Sequence, residues 1–370
     1  MFGPSHYVPI LRCKHAERFA LRYLEPQDRE RITPLIELTP SNFKSKKTPL
    51  RAATALDPEE VVLREAKNLL EACGNAPFFL DLGHVAADIR RTRGKIHALE
   101  YFAELGRSYK LALVPVTGMA RPDDYRASVR TIAQADKRGT CLRVTPSEIA
   151  STAFASNIKE LLASLNLAAA DVHLLVDYQA NDPAVPNPRD VLAAIPNFAR
   201  WRTLSVAGGA FPPDLQKFEP GNHRIPRSDW LAWKTAVLWS GTRQRNPSFS
   251  DYTIQYGLYK EPVEGCNPSV SVRYTLDEEW LIMRGDAIRA KATSDPEERR
   301  PGREQWWGHA QLLCGNPKLF YGKSYSWADG FIHEKSLGGK KHGNHEIWLR
   351  AGINHHMTVV SRQIAKLGVG

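Results

Sequence analysis

The strongest constraint on the fold is a repeated alternation of short apolar runs with amphipathic segments. Eight runs of strand length occur before residue 255, and helix-like segments separate them. Strands that are apolar on both faces and alternate with helices are typical of a parallel sheet covered by helices. The runs are YVPILR (7–12), TPLIEL (33–38), APFFLDL (76–82), LALVPV (111–116), TCLRV (140–144), VHLLVD (172–177), RTLSVA (202–207) and SFSDYTI (248–254).

Eight such units are the number in a (β/α)8 barrel of the TIM type, and we predict that α/β fold in a single domain. The alternative is an open, doubly wound parallel sheet. The eighth run is the weakest of the set, which favours the alternative. No glycine-rich turn follows the first run, which argues against the dinucleotide-binding form of that open sheet.

The alternation stops after residue 256. SVSVRYTL (269–276) and EWLIMRG (279–285) alternate as the strands of a hairpin do, and EQWWGHAQLLCG (304–315) has a helical period. INHHMTVVSRQIAKLG (353–368) is again helical and ends at a glycine. We therefore assign residues 1–256 and 346–370 to the barrel. Residues 257–345 are then an α+β insertion between strand eight and helix eight, which would cap the barrel mouth.

The composition indicates a folded protein with a tilt toward anionic partners. The formal net charge is +10 and the pI is near 9.3, which favours nucleic acid, a nucleotide or another phosphorylated ligand. The five cysteines are widely spaced without a CxxC pair, so we expect reduced thiols. No run approaches the roughly 20 apolar residues that span a bilayer, and we expect a cytoplasmic protein without a membrane partner.

Charged and polar residues stand at the carboxyl end of nearly every predicted strand. In a parallel barrel these ends form one mouth, which holds the active site in essentially all characterised barrel enzymes. A ring of buried charges is better explained by mutual pairing or by a ligand than by chance. The candidates from the strand ends are Arg12, Lys14, Glu37, Asp81, Arg143, Asp177, Gln179, Gly208, Gly209 and Asp251, and His84, Thr117, Thr145 and Tyr252 stand at the same strand ends.

Glu37, Asp81 and Asp177 are the candidate catalytic groups of this ring. They suit general acid–base chemistry, or they would hold a divalent cation such as magnesium, which prefers oxygen ligands. The remaining strand-end candidates would contact the ligand, and AGGAFPP (207–213) stands where barrels often bind phosphate. The structural alternative is a salt-bridged layer in which the arginines and the carboxylates neutralise one another.

A second group of candidates lies at or after the insertion. Arginine beside a glycine turn suits phosphate or carboxylate, and a neutral histidine suits a general base or a metal ligand. We take His355 as a further candidate catalytic group, although a structural histidine is the alternative. The candidate ligand contacts here are Arg273, Arg284, Gln311, Arg350 and His356.

Several motifs together resemble the beta protein family. They are YVPILRCKHAERFAL, RITPLIEL, FFLDLG and LLVDYQ, followed by RYT, EWLIMRG, GHAQLLCG and WLRAGINHH toward the carboxyl end. This family occurs in phages and bacteria, often near mobile or defence genes. The resemblance implies a barrel-like domain with its own C-terminal elaboration and a role in phage–host conflict. It carries over no catalytic residue, so the candidate site rests on the strand ends.

We therefore expect a barrel whose carboxyl-terminal face binds an anionic ligand: a nucleotide, a phosphodiester or a nucleic-acid end. If the protein is an enzyme, hydrolysis of a phosphodiester or related bond is the expected reaction. The alternative is a sensor or adaptor without catalysis, which binds a phage component, nucleic acid or a partner protein from a neighbouring gene. Its nucleic-acid contacts would come from the basic loops with Lys44, Lys46, Lys47, Lys340 and Lys341.

Overall fold

The computed structural model describes the chain except for residues 1–2, 45–56, 93, 95, 181–187, 238–244, 262–264, 290–301, 340 and 368–370. Eight parallel strands close into a barrel, so the (β/α)8 prediction is confirmed. The open sheet is wrong, because the last barrel strand pairs with the seventh and with the first. The barrel strands are β1 (Tyr7–Leu11), β2 (Leu35–Glu37), β3 (Phe78–Asp81), β4 (Leu113–Gly118), β5 (Thr140–Val144), β6 (Val172–Asp177), β7 (Thr203–Gly208) and β9 (Ser248–Asp251), with β8 (Gly221–Pro226) outside the barrel.

Helices surround the barrel, and the third of them shows the local signals that begin and end a helix. In the third helix, Asp57 accepts a hydrogen bond from the Glu59 amide, Pro58 occupies the first helical position, and Gly74 ends the helix at φ 60°. No described helix is long and apolar enough to cross a membrane. The helices of the barrel section are α1 (His15–Arg22), α2 (Pro26–Arg29), α3 (Pro58–Cys73), α4 (Ala98–Ser108), α5 (Asp123–Asp136), α6 (Pro146–Ile149), α7 (Phe154–Leu165), α8 (Pro188–Ala193) and α9 (Ser228–Val237), with short 3-10 turns at Pro40–Phe43, Ala87–Arg90, Ala169–Asp171 and Phe198–Arg200.

Two apolar layers explain why the strands are apolar on both faces. One layer lies between the strands and the helices that cover them. The other consists of alternate strand residues and fills the inside of the barrel. Its members are Val8, Ile10, Leu35, Phe79, Val114, Val116, Cys141, Leu175, Ala207 and Tyr252. The interior is therefore packed, and any ligand site is confined to one of its two ends.

A second, three-stranded antiparallel sheet has the order β10 (Ser269–Thr275), β11 (Glu279–Ala287), β8. The β10–β11 hairpin is the one predicted from the sequence. Strand β8 was not predicted, because GNHRIP is mostly exposed and lacks an apolar alternation. It comes from the loop between β7 and α9, so the second sheet is joined to the barrel by hydrogen bonds between β8 and β11.

Three further helices complete this part of the chain: α10 (Gln305–Cys314), α11 (Trp327–Ser336) and α12 (His345–Lys366). Trp306 of α10 stacks on Trp348 of α12, with ring centroids 6.0 Å apart, inside an apolar core that includes β10. Helix α12 also packs against α1 of the barrel. It is longer than the predicted helix over 353–368, and α11 was not predicted at all.

Gly139 lies where the loop before β5 comes very close to the start of β6, so a substitution there tests this close approach. Its φ is +71°, and a Cβ atom there would overlap the carbonyl oxygen of Asp171. Gly74 has a similar φ of +60° but open space around it. We expect Gly74→Ala to lower the free energy of unfolding by about 1 kcal/mol and Gly139→Ala by about 3 kcal/mol or more. Chemical denaturation of both variants measures the difference, and equal losses would contradict the steric explanation.

Candidate functional site

Arg143 of β5 lies at the centre of the barrel mouth and joins several strands. Its Nε lies 2.7 Å from Oδ2 of Asp177, and its Nη1 lies 2.7 Å from Oε1 of Glu37 and 3.0 Å from Oδ2 of Asp81. Its Nη2 donates to the hydroxyl of Tyr252 at 2.8 Å. The strand-end prediction therefore holds for the placement of these four charged groups. Every nitrogen of this guanidinium has a partner, as a buried cation requires.

Glu37 stays ionised in this setting although its side chain is only 1% exposed. Burial opposes the charged form, but the charge of Arg143, helped by His84 and Arg12, lowers the pKa of Glu37 to about 2. His84 follows β3, and its Nε2 lies 3.2 Å from Oε1 of Glu37. The side chain of His84 is 32% exposed, so this imidazole connects the buried ions with the solvent side of the mouth.

Arg121 supplies a second cation from the loop between β4 and α5. Its Nη2 donates to both carboxylate oxygens of Asp81, at 2.8 and 3.0 Å. Gly83 leaves the space for this guanidinium, because a Cβ atom there would overlap it. Arg121 is missing from the sequence prediction, since it stands three residues beyond the end of β4 in the loop GMARPDD. No strand-end pattern identifies it.

Arg12 fixes the segment that follows β9 across part of the mouth. Its Nη2 donates to the carbonyl oxygens of Tyr256 at 2.5 Å and Gly257 at 3.0 Å, and its Nε lies 3.7 Å from Oε2 of Glu37. A Cβ atom on Gly209 or on Gly257 would overlap the carbonyl oxygen of Gln179. Gly208 ends β7, and Gly209 is thus held in close backbone packing. Gly209 and Gly257 thus allow the loops after β6, β7 and β9 to approach one another closely.

An open cavity of about 270 Å³ remains beside this network. The loops after β3, β4, β5 and β6 form its walls. Arg121, Arg143 and His84 line it together with Asp81 and Asp177. The other lining residues are Gly83, Gly118, Met119, Ala120, Thr145, Glu148 and Gln179. The mouth therefore combines a rigid ionic floor with room for a small molecule.

A metal ion does not fit this arrangement well. Arg143 occupies an oxygen of each of Glu37, Asp81 and Asp177, so the position between the three carboxylates is already taken by a guanidinium. Among the described residues, no group of three or more His, Cys, Asp or Glu side chains is placed to hold a metal. Arg12, Arg121 and Arg143 balance the three carboxylates in formal charge. The salt-bridged layer, which was the structural alternative, describes the floor of the mouth.

Asp251 and His356 lie away from the mouth, on the outer side of the barrel wall. The Tyr7 hydroxyl donates to Oδ1 of Asp251 at 2.5 Å, and Nε2 of His356 lies 2.8 Å from Oδ2. Nδ1 of His356 lies 2.9 Å from the hydroxyl of Thr275 and 3.4 Å from the indole nitrogen of Trp280, a donor. The ring therefore carries its proton on Nε2, and burial lowers its pKa. Thr275 is fully buried, so this hydroxyl–imidazole–carboxylate chain has no access to a substrate.

His355 is also structural in its placement. Its Nδ1 lies 2.9 Å from the Asp329 carboxylate, and its Nε2 lies 2.9 Å from the carbonyl oxygen of Thr275. Burial opposes ionisation of Asp329, but His355 holds the pKa of that carboxyl below its usual range. Tyr274 stacks on the imidazole with ring centroids 3.8 Å apart. Both ring nitrogens are thus occupied inside the core, where a general base would have no ligand to act on.

The remaining candidates are spread over the molecule. Lys14 caps α1, and Arg273 donates to the carbonyl oxygen of Ile254 at 2.9 Å. Arg350 covers the ring of Phe19 at 3.5 Å from its centroid. Arg284 lies on β11 and Gln311 on α10, both outside the mouth cavity. Apart from His356, which pairs with Asp251, the second group of candidates makes no contact with the strand-end carboxylates among the described residues.

The basic loops are only partly described. Lys46, Lys47 and Lys340 lie outside the described residues. Lys44 lies 3.4 Å from a carboxylate oxygen of Glu261 on the surface, and Lys341 is exposed. Nucleic-acid binding by these loops stays a prediction.

The chain is similar to one protein family and, in its fold, to several solved structures. A family model described as Beta protein matches residues 7–362. No curated protein sequence matches the chain significantly. Similar solved structures include a GH18 chitinase from Pseudoalteromonas aurantia, with 8% identity over 68% of this chain and 94% of that chain and a TM-score of 0.40.

Two further similar structures have the same level of likeness. A 3-hexulose-6-phosphate synthase shares 15% identity over 67% of this chain and 90% of that chain, with a TM-score of 0.32. A mutant tryptophan synthase α-subunit from Pyrococcus furiosus shares 14% identity over 68% of this chain and 89% of that chain, with a TM-score of 0.37. These differ in activity, and similarities of this size assign no activity to the chain.

Removal of Arg143 should greatly lower the stability of the fold. Arg143→Met leaves three buried carboxylates without their shared partner, so we expect the free energy of unfolding to fall by about 3–5 kcal/mol. Arg22→Met is the matched control, because Arg22 is 51% exposed and pairs with Glu71, which is 64% exposed. That control should lose about 1 kcal/mol or less. Urea denaturation compares them, and a small loss for Arg143→Met would show that the network is dispensable.

The lowered pKa of Glu37 makes stability depend on pH in one direction. The ionised form is favoured by folding, so its contribution is present above the usual carboxyl pKa and is lost on acidification. Between about pH 5.5 and pH 3, the wild type should lose roughly 2 kcal/mol more than Glu37→Gln. Denaturation curves of both proteins across this range check the sign, and parallel pH profiles would refute the assignment.

Proposed function

The chain belongs to the Beta protein family, and we propose that it is a binding protein whose barrel mouth takes a small anionic ligand, such as a nucleotide or another phosphate ester. The observation that carries this proposal is the placement of Arg121. Among the described residues only its Nη2 makes hydrogen bonds, both to Asp81, and the Arg121 side chain lines the cavity. Planar guanidinium donors of this kind are suited to phosphate and carboxylate groups.

The size and the charge of the mouth narrow the ligand. A cavity of about 270 Å³ is slightly smaller than the roughly 300–1,000 Å³ of typical small-molecule sites, which favours a mononucleotide or a smaller anion. The net charge of +10 favours the encounter with anions in general. The ionic floor is already balanced in formal charge, so Arg121 and His84 at its edge are the groups left to contact an added negative charge.

The same geometry favours binding over hydrolysis. Each carboxylate proposed as an acid or a base is engaged by Arg143, and Glu37 is also paired with Arg12. A hydrolase needs at least one group that is free to exchange a proton at the reacting atom. We therefore place the chain with the sensors and adaptors, and we take ligand binding as its primary activity.

One observation keeps a hydrolase as the second candidate. His84 forms an imidazole–carboxylate pair with Glu37 at 3.2 Å, at the edge of the cavity. Such a pair orients a general base toward a bound ligand. Hydrolysis of a phosphodiester would then depend on His84 rather than on the carboxylates of the floor.

A role in phage–host conflict, a cytoplasmic location and a partner protein from a neighbouring gene are also part of this proposal. They are supported by the family resemblance and the composition, not by the site. Plaque counts on cells that express the wild type or Arg121→Gln would test the link between the mouth and such a role. Equal plating on both would separate the phage context from ligand binding at the mouth.

Loss of Arg121 should remove the ligand and keep the fold. Isothermal titration with inorganic phosphate, pyrophosphate, AMP and cyclic AMP should find a binder among these anions. Arg121→Gln should weaken its binding by about tenfold or more, because a charge-assisted pair is lost. Arg91→Gln is the control, since Arg91 is exposed, pairs with Asp124 and lies outside the cavity. Equal affinity in the two variants, or no binding by the wild type, would contradict the proposal.

A turnover assay separates the two candidate functions. With bis(p-nitrophenyl) phosphate, we expect no release of nitrophenol above the buffer rate for the wild type. If the wild type instead turns over the diester and His84→Gln abolishes that rate, the hydrolase replaces the binding protein as the function.

A further inference from the structure

The amino-terminal end of the barrel holds a second and larger cavity, of about 990 Å³. It lies opposite the mouth, because its lining residues precede or begin the strands. Its inner wall contains Ile32, Phe79 and Val114, and Phe79 and Val114 are also members of the apolar barrel interior. The other apolar lining residues are Pro26, Ala76, Pro77 and Ala112. The wall is therefore mainly aliphatic.

The packed interior separates this cavity from the mouth. Ile10, Val116 and Leu175 are each about 1–2% exposed or less and belong to the apolar cluster between the two ends. A close-packed layer of this kind leaves no passage for a ligand. A molecule in the lower cavity would thus be independent of the anion proposed for the mouth.

The rim of the cavity is strongly basic. Arg29, Lys137, Arg138 and Arg202 line it, and Glu30 is the one carboxylate among the described lining residues, while Asp171 beside the rim pairs with Arg202 at 3.6 Å. This surplus contrasts with the mouth, where arginines and carboxylates balance. Charge complementarity therefore points to a negative group at the rim.

The rim is also held in place by its own hydrogen bonds. Arg202 donates to the carbonyl oxygens of Ala170 at 3.2 Å and Arg138 at 2.5 Å, which ties the loop before β5 to the loop before β6. The close approach of Gly139 to Asp171 fixes the same two loops. A preformed rim lowers the ordering cost of binding.

Two histidines line the inner part of the cavity without adding charge. His6 lies 2.8 Å from the hydroxyl of Thr33, and His173 lies 2.8 Å from the hydroxyl of Thr203. Burial lowers the pKa of His6 to about 4 and that of His173 to about 3, so both rings are neutral near pH 7. The inner wall is therefore uncharged, and the positive charge is confined to the rim.

We propose that this cavity binds an amphipathic anion, with an aliphatic body inside the barrel end and an acidic head at the basic rim. An acyl carboxylate has this chemistry. A nucleotide fits less well, because Phe79, the phenyl ring among the described lining residues, already makes an edge contact with His173 at 5.0 Å. The described wall thus offers mainly aliphatic contacts to a ligand.

Isothermal titration with decanoate tests this site on the full-length chain. Decanol and decyltrimethylammonium provide the same chain length with a neutral and a positive head. We expect decanoate to bind and the other two to bind about tenfold more weakly or not at all. No heat with decanoate, or equal binding of all three amphiphiles, would overturn the proposal. Tighter binding of AMP in competition with decanoate would overturn the ligand class.

Two variants locate the bound decanoate. Lys137→Glu with Arg138→Glu reverses the charge of two exposed rim residues, and Ala112→Trp fills the half-buried wall. Each of these two variants should weaken the binding of decanoate by about tenfold or more. Lys159→Glu with Lys217→Glu changes the net charge equally at exposed sites elsewhere and should leave the affinity unchanged. Unaltered affinity in the rim variant would place decanoate outside this cavity. Anion binding at the mouth is measured separately with Arg121→Gln. One proposal can therefore be refuted while the other stands.

Discussion

The structure depends on how one buried guanidinium is satisfied. Arg143 stands on β5 inside a closed barrel, where an unpaired cation is prohibitively costly. The carboxylates of Glu37, Asp81 and Asp177 come from three other strands, and Tyr252 follows the last one. Each hydrogen bond of Arg143 therefore joins two parts of the barrel wall. The ends of five strands are held around one ion, and the mouth acquires a fixed floor.

This floor determines what the mouth can do. Groups that neutralise one another inside the barrel are not available as a metal site or as free acids and bases. Chemistry is left to the groups at the border with solvent, namely Arg121 and His84, each of which is tied to the floor through one carboxylate. A ligand bound there would contact groups attached to the ionic network, and the network would not change it chemically. That arrangement suits recognition, and it places the proposed function with binding proteins.

Much of the fold followed from periodicity, because eight apolar runs at strand length permit few arrangements other than a closed barrel. The same reasoning placed Glu37, Asp81, Arg143 and Asp177 at one end, since parallel strands share a direction. It failed for Asp251, whose side chain points to the outer wall. Side chains alternate between the two faces of a strand, so a shift of one residue at the strand end reverses the prediction.

Other parts were beyond the sequence pattern. Strand β8 is exposed and has no apolar alternation, so only its pairing with β11 makes it a strand. Arg121 comes from a loop, and its approach to Asp81 requires the missing side chain of Gly83. His355 and His356 are adjacent in sequence, yet each is enclosed by a different acid, Asp329 and Asp251. Long-range contacts of this kind decide the roles of polar residues and leave no local signal.

Two arginines of the mouth have different roles: Arg143 holds the barrel together, and Arg121 is proposed to bind the ligand. Proton–nitrogen correlation spectra of the arginine Nε groups, assigned with Arg143→Lys and Arg121→Lys, test this difference directly. During titration with the anion that binds most tightly, the Arg121 Nε signal should move and the Arg143 signal should stay fixed and protected from exchange with water. A moving Arg143 signal beside an unchanged Arg121 signal would mean that the ligand enters the ionic floor itself, and the account would be wrong.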